Sequence, residues 1–193
     1  MKNKFLIPDF LILAVIIIGM SIFSAYADWA LLVSYIFVVL YKVLTRRWKG
    51  LMHLGISTVI ALIWVFFAQK NYAYNYEYLS VFGMNILPIL AWSLGLLGVS
   101  ELFNYFRVQN DVMNFILFVP VFWLLLILIE TYAFHVIEIR DTGSGNAIGL
   151  PFCNCIHAPW WMRIVYFTMG PAYYAFTIIS DRITADYIRN DNH

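Results

Sequence analysis

The densest set of reactive side chains lies at positions 130–138, Glu-Thr-Tyr-Ala-Phe-His-Val-Ile-Glu, at the end of a long apolar run. On a helix turning about 100° per residue, Glu130, Thr131, His135 and Glu138 fall within an arc of about 140° and span roughly 12 Å of rise. A carboxyl group beside an imidazole is the apparatus of general acid–base chemistry. Arg163, near the start of the next apolar run, is expected at a similar depth. A Glu130–Arg163 pair across two helices would lower the cost of both charges. The candidate catalytic set is therefore Glu130, His135, Glu138 and Arg163.

Between those runs stands Cys153-Asn154-Cys155-Ile156-His157, with the chain's only two cysteines. In an extended segment, residues i, i+2 and i+4 point to one side. Cys153, Cys155 and His157 would then converge on Zn²⁺ or Cu(I), with His135 as a fourth ligand. Two other readings stay open. The cysteines can join in a disulfide on an oxidising face, one that spans a single residue and is short, strained and labile. They can also pack as small apolar side chains, with His157 capping the following helix.

The elements that carry these residues are set by composition. The chain has 193 residues, 63% hydrophobic and 12% charged, against roughly 45–50% and about 25% in soluble domains. So much apolar surface needs lipid as its solvent. Six apolar segments are read at about 5–26, 29–44, 51–68, 79–106, 112–139 and 160–180, with a loop at 140–159. The fold class expected is all-α: one polytopic transmembrane bundle spanning 1–193. Lys2, Lys4, Lys42, Arg46, Arg47, Lys49, Arg107, Arg182 and Arg189 fall at one end, against Lys70, Arg140 and Arg163 at the other. That bias places both termini in the cytoplasm of a plasma (inner) membrane protein, with the Cys153–His157 loop on the outer face. The start, MKNK followed by an apolar stretch and Ala25-Tyr26-Ala27, also reads as a cleavable leader whose loss would leave five helices.

Packing devices are visible within the segments. Ala91 and Gly95 share a face that admits a neighbouring backbone. Pro88 and Gly170-Pro171 predict kinks that free the carbonyls of Met84 and Phe167. Glu101 is expected to pair with Lys49 or Arg107 near the cytoplasmic ends, where Asp9, His53 and Asn104 also stand. The net charge of +1 and the lack of a basic stripe argue against nucleic-acid binding. No phosphate loop, dinucleotide fingerprint, zincin pair or nucleophile elbow is present.

Three functions fit these features. One is a membrane-embedded enzyme on a lipid or isoprenoid-like substrate, with Glu130 or His135 as acid/base and Arg163 or a metal stabilising charge. A second is an accessory, assembly or metal-handling subunit that partners another membrane protein. A small transporter is the third, weakened by the scarcity of polar groups through the middle of segments two, three and five.

Overall fold

A computed structural model describes residues 6–143 and 147–190. Six helices dominate the described residues: α1 (Leu6–Ile22), α2 (Ala27–Leu44), α3 (Trp48–Ala68), α4 (Ile86–Phe103), α5 (Asp111–His135) and α6 (Trp160–Asn190). A two-stranded antiparallel hairpin, β1 (Ser80–Val81) and β2 (Met84–Asn85), precedes α4. The chain is an all-α bundle. Four of its helices, at Ser24–Leu44, Trp48–Asn71, Ile86–Phe103 and Asp111–His135, are long and apolar enough to cross a membrane. Their outer faces carry exposed Phe37, Phe66, Phe67, Ile116 and Leu124, a surface suited to lipid. The chain is a membrane protein on these grounds.

α4 is the axis of the bundle. Its Leu87, Leu90, Leu94 and Leu97 join a core with Leu31 and Val38 of α2 and Leu54 of α3. Its Ile89, Leu96, Val99 and Phe103 join a second core with α3, α5 and α6. Without a hydrophobic drive between helices in lipid, fit decides such contacts. The stack of Phe118 on Tyr174, 4.2 Å between ring centres, and the seat of Phe122 against Gly170 lock α5 to α6. A β-carbon at Gly170 would lie 2.4 Å from the Phe122 ring.

Several boundaries differ from the sequence expectation for local reasons. Residues 79–85 form the hairpin rather than a helical turn, so Pro88 sits in the first turn of α4. There its missing N–H has no intrahelical partner to lose, and no kink frees the carbonyl of Met84. Asn85 caps this helix, its side chain accepting from the Leu87 N–H at 2.9 Å. α5 opens on the Asn110 cap and closes at His135, because Glu138 turns left-handed at φ 58°. Glu138 therefore leaves the helical arc predicted for it. α6 runs on to Asn190, ten residues past the expected end. Pro171 does free the Phe167 carbonyl, and the indole N–H of Trp123 donates to it at 2.8 Å. Gly95 has open space around it; the glycine under pressure on α4 is Gly98, against Leu13 of α1.

One end of the bundle is a charged layer. Arg47 pairs with Asp9 at 2.6 Å and with Glu101, which also takes Lys42 at 2.6 Å. Tyr105 donates to Asp9 at 2.9 Å. Glu101 thus bonds Lys42 and Arg47 rather than Lys49 or Arg107. Those two bind Asp181 and Asp111 instead. Lys2 and Lys4 lie outside the described residues.

Candidate functional site

At the opposite end, a cavity of about 180 Å³ lies between α4, α5 and the loops above them. Its walls are largely apolar, with Met20, Leu87, Val99, Phe122, Leu126 and Ile129 among them. Ile129 is also half exposed on the outside of α5, which puts the chamber one side chain from the bilayer. Into this apolar space project Glu130, Asp141, Tyr72, Tyr74, Tyr166, Trp92 and His157.

The roof is two loops stitched together. Asn75 receives the Arg140 N–H at 2.8 Å and donates to the Glu138 carbonyl at 2.8 Å. The Ala73 carbonyl takes the N–H groups of Thr142 and Gly143. Gly143 is needed there, since a β-carbon would lie 2.5 Å from the Asn71 carbonyl oxygen. Asp28 at the start of α2 accepts the Leu79 N–H at 2.8 Å and anchors the far side of the first loop.

Glu130 has no hydrogen-bond or ion-pair partner among the described residues, although it is partly buried and faces the cavity. The expected Glu130–Arg163 pair does not form. Arg163 donates to the carbonyls of Ala158, at 2.8 Å, and Ile148, and so braces the second loop. The guanidinium is taken up by backbone carbonyls of the loop instead.

The aromatic cluster has a fixed hydrogen-bond direction. Tyr72 Oη receives the indole N–H of Trp64 at 2.7 Å and of Trp92 at 3.3 Å. An indole can only donate, so both lone pairs of Tyr72 are engaged. Tyr72 must then give its own proton to Tyr166, 3.0 Å away. Burial, first of all, holds the Tyr72 phenol well above its ordinary value, so that proton stays in place. Tyr166 is left with an O–H that no group among the described residues accepts, on the cavity wall.

His157 completes the lining. Its Nε2 lies 3.1 Å from Asn154 Oδ1, an acceptor, so the ring carries its proton there. Nδ1 is then a bare lone pair, and it is buried without a partner. The ring stacks on Phe134 with centres 4.0 Å apart. Burial, reinforced by His135, Arg163 and Arg140, pushes His157 below the ordinary imidazole value and keeps it neutral.

Cys153 and Cys155 are joined by a disulfide. The intervening backbone is not extended: Asn154 and Ile156 are left-handed, at φ 45° and 54°. The alternation that would bring Cys153, Cys155 and His157 onto one metal is therefore lost. Among the described residues, no three His, Cys, Asp or Glu side chains gather as a metal site would require. A β-branched residue at positive φ is costly, and strain of this kind gathers at functional loops.

Of the residues predicted from sequence, Glu130 and His157 meet at the cavity. His135 is exposed and its ring lies 3.1 Å from the Cys153 carbonyl. Glu138 is 65% exposed, 3.7 Å from Arg140. Tyr72, Trp64, Trp92, Asp141 and Tyr166 were not predicted. Tyrosine density in the loop 69–78 was the one signal available, since isolated aromatics carry no spacing rule. The chain matches no family model, and no curated protein or solved structure is significantly similar to it.

Proposed function

We propose that the chain is a membrane-embedded proton-transfer enzyme acting on a lipid-soluble substrate that bears a carbonyl oxygen. The observation that carries this reading is the unpartnered Glu130 carboxyl in an apolar cavity that also holds an uncommitted Tyr166 O–H. An ionisable group left alone at such depth is costly, and function is the usual reason for keeping it. The cavity has room for about six water-sized groups at roughly 30 Å³ each, which suits the reacting end of a longer molecule.

In this reading Glu130 takes a proton from a carbon next to the carbonyl. The C–H pair becomes a new C=C bond, and the carbonyl π pair moves onto oxygen. Tyr166 donates to that oxygen as charge grows on it. The substrate class is a β,γ-unsaturated carbonyl compound, so the anion extends over its C=C bond. Glu130 then returns the proton to the γ carbon, and the double bond moves to the α,β position with no net redox change. The neutral His157 Nδ1 accepts from a substrate hydroxyl and fixes orientation. His135 and Arg163 hold the loop that presents His157, and Glu138 lies outside the cavity beside Arg140. The cationic bias toward the Arg47 end supports placing that end in the cytoplasm and the cavity near the outer leaflet of the plasma membrane.

The test is turnover by the purified chain in vesicles made from the total lipid extract of cells that express it. Parent protein is expected to convert one lipid species, read by mass spectrometry. Glu130→Gln is expected to slow it by about 10²–10⁴-fold. Identical lipid profiles from parent and variant would end the proposal.

An accessory role has one observation in its favour. Phe82, at the hairpin tip, is 96% exposed with φ 52°, a shape suited to insertion into a partner or a lipid interface. Phe82→Ser that left turnover intact but released a copurifying membrane protein would support it.

A further inference from the structure

The charged end of the bundle contains a second and larger cavity, of about 520 Å³, and the proposed chemistry makes no use of it. Four cationic side chains line it, Arg46, Arg47, Lys49 and Arg107, with Glu101 as the single carboxylate. Three of the four are committed elsewhere: Arg47 to Asp9 and Glu101, Lys49 to Asp181, Arg107 to Asp111. Arg46 has no acidic partner among the described residues. Arg46, which is exposed, therefore brings an uncompensated guanidinium to a cavity where Glu101 is the one carboxylate against four cations.

The backbone under Arg46 points the same way. The Arg47 N–H bonds the Lys42 carbonyl at 2.8 Å, and the Arg46 N–H bonds that of Val43 at 3.0 Å. This is the closing turn of α2 in which the first residue past the cap is left-handed, a place glycine fills without strain. Arg46 occupies it at φ 54°. Holding an arginine there costs stability and sets its side chain at the cavity. The first turn of α3, which no side chain caps, lines the same space through Trp48, Lys49 and Gly50.

From this geometry we infer that the cavity binds a phosphate ester, with Arg46 as its principal ligand. Guanidinium matches phosphate oxygens two at a time, and partly paired cations add charge without collapsing the space. Trp48 lines the site and is exposed, as are Leu44 and Phe106, next but one and next in sequence to the lining residues Arg46 and Arg107, which suits the acyl chains of an anionic phospholipid. A soluble phosphate ester would satisfy the same cations.

The two sources separate in one experiment on the purified full chain in neutral detergent, read as the thermal midpoint. The ligands added are phosphatidylglycerol, phosphatidylcholine or inorganic phosphate. At about a hundredfold excess over Kd, a bound ligand raises the midpoint by roughly 5–10 °C. Phosphatidylglycerol is expected to give that rise and phosphatidylcholine none. A rise with inorganic phosphate alone would assign the site to soluble esters. The variant is Arg46→Gly, which relieves the backbone, so its unliganded midpoint is expected to equal or exceed the parent's while the ligand shift is lost. No shift with either anion, an equal shift with phosphatidylcholine, or a shift that survives Arg46→Gly would overturn the inference.

Discussion

At the scale of single residues, the site rests on counting donors and acceptors around Tyr72. Tyr166→Phe removes an O–H that faces the cavity beside Glu130. It is expected to slow turnover by about 10²–10³-fold, and, because it strands the Tyr72 O–H, to lower the stability by about 1–3 kcal/mol. Tyr72→Phe should behave differently. It strands two donors, the indole N–H groups of Trp64 and Trp92, at about 1–3 kcal/mol for each, and so lowers the midpoint further than Tyr166→Phe does. A Tyr166→Phe midpoint equal to the parent's would mean the Tyr72–Tyr166 bond runs the other way. His157 gives a prediction in pH. Its folded value is depressed, so as pH falls below about 6.5 the unfolded chain binds the proton first. The stability it contributes is present above that pH and is lost as pH falls toward the folded value. The parent midpoint should drop between pH 7 and pH 5, and His157→Gln should flatten that drop. Glu130 was legible in the sequence because an acid within an apolar run is conspicuous. Tyr166 was not, since its role depends on two indoles from distant segments.

At the scale of elements, periodicity and apolar length identified the helices, and local chemistry set their ends. Pro88 looks like a kink in the sequence because the hairpin before α4 is only four paired residues and leaves no alternating pattern. The small-residue face was placed on Gly95 when the close contact is at Gly98, because spacing alone does not say which face of α4 meets α1. Gly170 is the sharpest element-level test. Gly170→Ala forces its new methyl into the Phe122 ring, and overpacking of this kind costs about 1–3 kcal/mol. The α5–α6 pair should loosen, read as a lower midpoint and faster hydrogen exchange in both helices. A midpoint equal to the parent's would show that Phe122 can turn aside. Shortening the side chain with Phe122→Leu on the same background should restore part of the loss.

At the scale of the molecule, the two ends divide the work. One end is a layer of ion pairs, in which Arg47 joins α1 to α4 through Asp9 and Glu101. Arg47→Met would leave two partly buried carboxylates short of a partner, at about 3–5 kcal/mol. Loss of the folded chain from detergent extracts is the expected readout. The other end is an apolar chamber with few polar groups, each accounted for by a bond or left free to act. Overall composition was enough to announce a membrane bundle. It could not announce the chamber, because Tyr72, Glu130, His157 and Tyr166 come from four separate stretches of chain. The decisive measurement is transfer of solvent hydrogen to carbon. The purified chain, in vesicles of its host's lipid extract, is placed in D₂O and the lipids are read by mass spectrometry. Deuterium should enter one carbonyl-bearing lipid with the parent and not with Glu130→Gln. No label with the parent, or the same label with both, would contradict a proton-transfer site at Glu130.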